Sequence, residues 1–427
     1  MNNKMMLKLN PIKMWDNIID YLKDPLLVVK VQNFFGVIYK KNNSSEETSI
    51  IHSDRHNTEN DSARQHKRIP SDISGTSQSS CETDTSSEYQ EEVECLINNK
   101  FWYYLFVLGT ALGDEIFYAT FIPFWFWNID GAVGRRVVLV WTIVMYIGQG
   151  FKDIIRWPRP GYPVKKLQDK WAIEYGMPST HAMVGVSIPF SVLFYTMNRY
   201  QYPVHWGIII AVSWCTLICV SRVYLGMHSI LDIAAGLLLS SALLVVLIPV
   251  VDQLDGFLLT SQWSPLLVIT ISILVIVYHP QSDKWTPTRG DTTMIVSVCA
   301  GILTGSWTNY QLGNMSASPL APPYAVEWPS VEMWGCTLLR TTLGFCGVLA
   351  TRALAKSVSF ALACALLGAD RRAVRAAAPS LHDTNTIIVE HSYKYITYGL
   401  IGFNTTYVLP TVFDLLFINR PTYYTEI

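Results

Sequence analysis

The sequence predicts an all-α fold, a polytopic bundle of transmembrane helices, and three observations carry that prediction. Half of the 427 residues are apolar and only 15% are charged, well below the roughly 25% charge of soluble domains. From residue 101 onward, apolar runs of span length follow one another; a hydrocarbon core takes about 20 residues of helix. The runs are continuous rather than alternating, which disfavours a membrane β-barrel.

Five runs come first, at 101–127, 137–150, 182–197, 204–220 and 230–251. Four more follow at 266–278, 294–307, 336–367 and 395–417, the third interrupted by Arg340, Arg352 and Lys356. The expectation is roughly eight to ten helices, with a core of about six. Residues 1–98 read as a polar, largely disordered region, of which 39–94 is low in complexity and too poor in apolar side chains to offset its ordering entropy. Residues 99–252 read as the membrane-embedded core, and 253–427 as additional C-terminal helices. The short apolar stretch Pro25 to Val29, bracketed by Lys23, Asp24 and Lys30, is no cleavable signal, so the first full span is expected to direct insertion.

A net charge of -1 gives no global basic excess, so nucleic acid is not an expected partner; the bilayer is. The eight cysteines show no paired spacing for a disulfide framework or zinc site, and no HExxH stretch or carboxylate cluster is present to hold a metal. No cofactor is expected.

Three polar clusters stand at the ends of these runs. The first joins Lys152 to Arg159 and Pro160; Pro158 and Pro160 stop the helix, leaving Lys152 on its last turns and Arg159 on an extended exit. An interfacial anchor would explain such charges equally well. The second is Pro178-Ser179-Thr180-His181, a good helix start whose cap and free N–H groups can receive an anion. Capping alone would explain Ser179 and Thr180 but not His181. The third runs from Ser221-Arg222 to His228 and Asp232; if helical from 228, it sets His228 and Asp232 four apart on one face. One loop carries the first two clusters, and two spans separate the second from the third. All three therefore converge on one membrane face.

In this order and spacing, Lys152/Arg159/Pro160, Pro178/Ser179/His181 and Ser221/Arg222/His228/Asp232 resemble the type 2 phosphatidic acid phosphatase superfamily, which includes lipid phosphatases and vanadium haloperoxidases. Thr180 departs from the glycine most common at its position, yet Met-Pro-Ser-Thr-His-Ala-Met resembles the sphingosine-phosphate phosphatase branch. Further similarity to that branch runs through FWFWNID, YIGQGFKDIIRWPRP, GMHSILDIAAG and SYKYITYGLIGF, so it covers about residues 100 to 417.

The resemblance implies hydrolysis of a sphingoid-base phosphate without a metal. Lys152, Arg159, Ser179, Thr180 and Arg222 would hold the phosphoryl oxygens. His228, oriented by Asp232, would attack phosphorus, while His181 protonates the leaving lipid oxygen and then activates water. Asp114 and Glu115 read as structural helix residues, and Trp157, Tyr175 and Tyr224 as interfacial aromatics or a headgroup lining. The resemblance also implies an endoplasmic reticulum membrane with the site facing the lumen. The span count puts the amino terminus on the active-site side, and the sequons Asn60 and Asn314 on opposite sides. A broad-specificity lipid phosphatase is the rival enzyme. A carrier or scaffold is the rival of another class, and it leaves both histidines and Asp232 unexplained.

Overall fold

Long uncharged runs can satisfy their backbone N–H and C=O groups in a bilayer only within themselves, and this chain does so with helices. The computed structural model describes residues 11–39, 95–168, 170–376 and 383–427. The polar tract at 40–94, with Asn60, lies outside them.

Two helices, α1 (Pro11–Lys23) and α2 (Pro25–Phe34), precede the bundle, with Asp24 capping α2 just ahead of Pro25. A short antiparallel ladder of β1 (Val37–Tyr39) and β2 (Cys95–Ile97) then brings residues 37 and 97 side by side. Residues 11–39 and 95–97, within the region expected to be largely disordered, thus form regular structure. Val28 is buried against Val164 and Val223, a contact too brief in sequence to stand out as an apolar element.

The expected first span is two helices, α3 (Lys100–Ala111) and α4 (Glu115–Asn128), bent by 59°. The bend falls where Gly113 passes His181: a Cβ on Gly113 would sit 2.8 Å from the imidazole. Asp114 occupies the break.

The next four helices form the core. Asp130 accepts from Val133 N and starts α5 (Gly131–Ile155), which ends at Arg156 in a left-handed conformation, φ 55°. Ser179 caps α6 (Thr180–Thr196). After α7 (Val204–Tyr224), a reciprocal box between Ser229 and Asp232 opens α8 (Ile230–Thr260). Val140, Val144, Met183, Val184 and Ile188 form the dry centre between α5 and α6.

The C-terminal half adds α9 (Ser264–Val277), α10 (Thr288–Gln311), α11 (Val331–Leu366), the short α12 (Arg371–Ala376) and α13 (Thr384–Phe403). A π turn at Asn404–Val408 joins α13 to α14 (Leu409–Leu415). Despite its charges α11 is continuous, because Arg340 turns inward to Asn128 Oδ1 at 3.1 Å and to the Ile418 carbonyl. A minor parallel pair, β3 (Tyr200–Gln201) with β4 (Tyr324–Ala325), ties two loops at one end.

Counting α3–α4, α5, α6, α7, α8, α9, α10, α11 and α13–α14, the described residues make nine helical passes, within the expected range. Among the described residues, four helices (α5, α7, α8, α11) are long and apolar enough to cross a membrane alone, and the bent α3–α4 pair makes a fifth. Leu238, Val245 and Val246 on α8 and Ile208–Ile210 on α7 point outward, as lipid-facing residues do. The end of α5, the start of α6, the end of α7 and the start of α8 share one face, with α1 and α2 beside them. This is the convergence that connectivity required.

At the opposite end, Arg135 pairs with Asp255 at 2.9 Å and reaches the Glu426 carbonyl, while Glu426 caps Gly131 N and pairs with Arg420. The carboxyl-terminal residues are thereby fastened to the start of α5.

Helices α10 and α13 approach most tightly at Gly301, where a Cβ would lie 2.0 Å from the Gly399 carbonyl oxygen. Gly301→Val should therefore separate the two helices and destabilise the fold by about 2 kcal/mol, as overpacking does. A melting temperature in detergent unchanged from wild type would contradict this packing.

Candidate active site

Three chain segments deliver the polar residues to one buried cluster. Lys152 projects from the last turns of α5. Pro158 and Pro160 then hold an extended exit from which Arg159 turns back, its Nε on the Glu174 carbonyl at 2.9 Å and its Nη1 on the Met227 carbonyl at 2.7 Å. Arg222 lies in the last turn of α7, fully buried, donating to Thr110 Oγ1 at 2.7 Å and Gln168 Oε1 at 3.0 Å. Its Nε and Nη2 have no partner among the described residues. Two unmatched donors on a buried guanidinium fit a planar oxyanion receptor.

His228 precedes the α8 cap and is fully buried. Its Nε2 lies 3.2 Å from Arg159 Nη1. Guanidinium can only donate, so Nε2 is the unprotonated nitrogen, with its lone pair turned to the cations, and Nδ1 carries the proton. Burial first, and then the charges of Arg159, Arg222 and Lys152, hold the imidazole well below its usual pKa. The ring is accordingly neutral, with Nε2 unprotonated.

Asp232 departs from the expected arrangement. Because α8 begins at Ile230, His228 and Asp232 do not share a helical face. Asp232 Oδ2 accepts from Ser229 N at 2.8 Å and stands 3.7 Å from His228 Nδ1, beyond hydrogen-bond range. Asp232 Oδ1 and His228 Nδ1 both lack partners among the described residues.

The second cluster meets the third through the backbone. Ser179 N donates to the Asp232 carbonyl at 3.1 Å, and Ser179 Oγ accepts from Ala182 N at 3.4 Å. The Thr180 and His181 N–H groups are left as the open donors of the helix start. Gly236 allows this approach, since a Cβ there would lie 2.7 Å from the Ser179 carbonyl oxygen. Thr180 packs its methyl toward Gly148 on α5.

His181 Nε2 lies 3.0 Å from Asp114 Oδ1. The α3–α4 break thus supplies the carboxylate partner of the second histidine, and Asp114, expected to be structural, belongs to the site. Tyr224 does not line it: its ring is packed among Phe35 and Phe106.

Glu174 was not foreseen. It is buried, with Oε2 2.5 Å from Lys152 Nζ and 3.9 Å from Arg159 Nη2. Burial works to raise its pKa, but the charge and hydrogen bond of Lys152, with Arg159, hold it below the ordinary carboxylate value. Next to it, Tyr175 donates to Asp283 Oδ1 at 2.5 Å, so the α9–α10 loop braces the loop that carries Glu174. Among the described residues, no group of three His, Cys, Asp or Glu side chains is placed to hold a metal.

The PAP2 superfamily profile matches residues 134–255, which hold all three clusters. The chain is 42% identical over 325 residues to sphingosine-1-phosphate phosphatase 1 of Rattus norvegicus, covering 76% of this chain and 74% of that one. It is 38% identical over 326 residues to sphingosine-1-phosphate phosphatase 2 of Mus musculus, covering 76% and 90%. A dihydrosphingosine 1-phosphate phosphatase of Schizosaccharomyces pombe is 23% identical over 362 residues, covering 75% and 86%. The chain belongs to the sphingosine-1-phosphate phosphatase family. No solved structure matches it.

As a member of the sphingosine-1-phosphate phosphatase family the protein is a phosphatase, a multi-pass membrane hydrolase. Asp114 carried a faint signal in the sequence, as a carboxylate inside an apolar run. Glu174 carried none, because a carboxylate in a polar loop is ordinary.

Proposed function

We propose that the protein hydrolyses sphingoid-base phosphates to the free base and phosphate through a phosphohistidine on His228. The observation that carries this reading is the His228 Nε2 lone pair set against Arg159, beside Lys152 and an Arg222 with two unmatched donors. The names of the relatives support the sphingoid substrate.

Lys152, Arg159 and Arg222 hold the phosphoryl oxygens, with Ser179, Thr180 and the first N–H groups of α6 completing the cradle. Nε2 of His228 bonds to phosphorus as the lipid oxygen departs. Asp232 accepts from Nδ1–H and stabilises the resulting imidazolium. His181, entering the step as the imidazolium with its Nε2–H on Asp114, gives its Nδ1 proton to the leaving oxygen, so the product leaves as an alcohol rather than an alkoxide. It then takes a proton from the water that opens the phosphorus–nitrogen bond, and phosphate departs. Asp114 holds Nε2 of His181, which leaves Nδ1 for both transfers. The three cations supply the positive charge that other phosphatases take from metal ions.

Two variants separate these roles. In EDTA, wild type should remain active and be inhibited by orthovanadate. His228→Ala should lose at least about three orders of magnitude in kcat, as loss of a nucleophile does. His181→Ala should accumulate an acid-labile, alkali-stable phosphoenzyme from an aryl phosphate, whose leaving group needs no proton. Phosphoenzyme formation by His228→Ala, or complete loss of wild-type activity on chelation, would overturn the mechanism. Release from sphingosine 1-phosphate and lysophosphatidate, compared in the same micelles, tests the substrate; equal rates would favour the broad-specificity reading.

The proposed setting is the endoplasmic reticulum membrane with the site facing the lumen. Asn314 follows α10 at the end opposite the site. It should therefore stay unglycosylated in cells, as judged by glycosidase-induced mobility shift; a glycan there would refute the luminal placement.

A further inference from the structure

The phosphoryl pocket contains a carboxylate that phosphatase chemistry does not call for. Glu174 Oε2 lies on Lys152 Nζ at 2.5 Å and 3.9 Å from Arg159 Nη2. The other terminal nitrogen of that guanidinium, Nη1, touches His228 Nε2 at 3.2 Å. One guanidinium therefore faces the nucleophilic nitrogen with one amino group and a carboxylate oxygen with the other. A phosphoryl group in line with His228 must place its oxygens on Arg159 and Lys152, where Glu174 now sits.

Charge sharpens the point. Lys152, Arg159 and Arg222 are three buried cations, and a phosphate monoester brings nearly two negative charges. With Glu174 ionised between Lys152 and Arg159, part of the positive charge that faces the phosphoryl group is cancelled. Without it, the site would hold product phosphate, a dianion of the same kind, more firmly than turnover allows. Glu174 is on the loop between α5 and α6 rather than on a helix, so its side chain can yield without moving the helices that hold Lys152 and Arg222.

We propose that Glu174 is a positioning residue that competes with phosphate for Lys152 and Arg159. It holds the two cations in place between turnovers, yields them to the substrate phosphoryl group, and returns to expel product phosphate. This rests on the reading that Lys152 and Arg159 bind the phosphoryl group.

The test uses the full-length protein in detergent with inorganic phosphate and orthovanadate as probes, alongside steady-state hydrolysis of sphingosine 1-phosphate. Glu174→Gln should bind both anions about tenfold more tightly. Its KM should fall and its kcat should fall with it, because phosphate release becomes slow. Glu174→Asp keeps the charge and should stay within about threefold of wild-type anion affinity. Weaker or unchanged anion binding by Glu174→Gln would overturn the proposal and leave Glu174 as a structural brace for Lys152. Should that variant fail to accumulate, a Glu174→Asp enzyme binding vanadate more than tenfold more tightly or weakly than wild type would overturn it instead, and affinity within the threefold window would support it. If wild type itself binds neither anion, the phosphoryl-site reading has failed, and the Glu174 proposal falls with it.

Discussion

The burial of three cations side by side is the constraint around which this protein is arranged. Lys152, Arg159 and Arg222 are each at most 9% exposed, and like charges removed from water cost several kcal/mol apiece unless they are met by fixed partners. The partners come from every neighbouring segment: Glu174 and its carbonyl from the α5–α6 loop, Met227 from the loop before α8, Thr110 from the end of α3, and Gln168. No single helix could supply them. The convergence of four helix ends on one face is the structural answer, and among the described residues it leaves two donors of Arg222, His228 Nδ1 and Asp232 Oδ1 unmatched, while His228 Nε2 faces Arg159.

The helices beyond residue 253 also bear on this pocket. The α9–α10 loop holds Tyr175 through Asp283, next to Glu174, and buries His279 and Thr288 against Asp153, the neighbour of Lys152. Below that loop, α10 packs on α5 and is clamped by α13 at Gly301 and Gly402. The C-terminal half is thus a brace for the end of α5 and for the loop that closes the cation cluster. At the far end, the contacts of Glu426 with Gly131 N and Arg420 close the same bundle.

Much of this was legible in the sequence for a physical reason: span length and charge placement survive without tertiary knowledge. The apolar runs predicted the helices, and the prolines at 158 and 160 predicted where α5 stops. Counting spans brought Lys152, His181 and Arg222 to one face. What escaped depends on contacts between distant segments. The 59° bend at 112–114 is set by the approach of His181 to Gly113, and nothing in a run from 101 to 127 announces it. The His228–Asp232 spacing suggested a shared helical face, but the Ser229 cap starts the helix two residues after His228 and draws Asp232 Oδ2 to the backbone. Glu174 is informative only beside Lys152, and a separation of 22 residues in sequence hides that contact.

The central claim is that the three cations and His228 form one phosphoryl-transfer site, and the most direct test is a structure of the full-length protein with orthovanadate, which adopts the trigonal-bipyramidal geometry of phosphoryl transfer. The account predicts vanadium bonded to His228 Nε2, its oxygens on Lys152, Arg159 and both unmatched nitrogens of Arg222, with His181 on the side opposite His228. Vanadate bonded to His181, or bound away from the three cations, would contradict it.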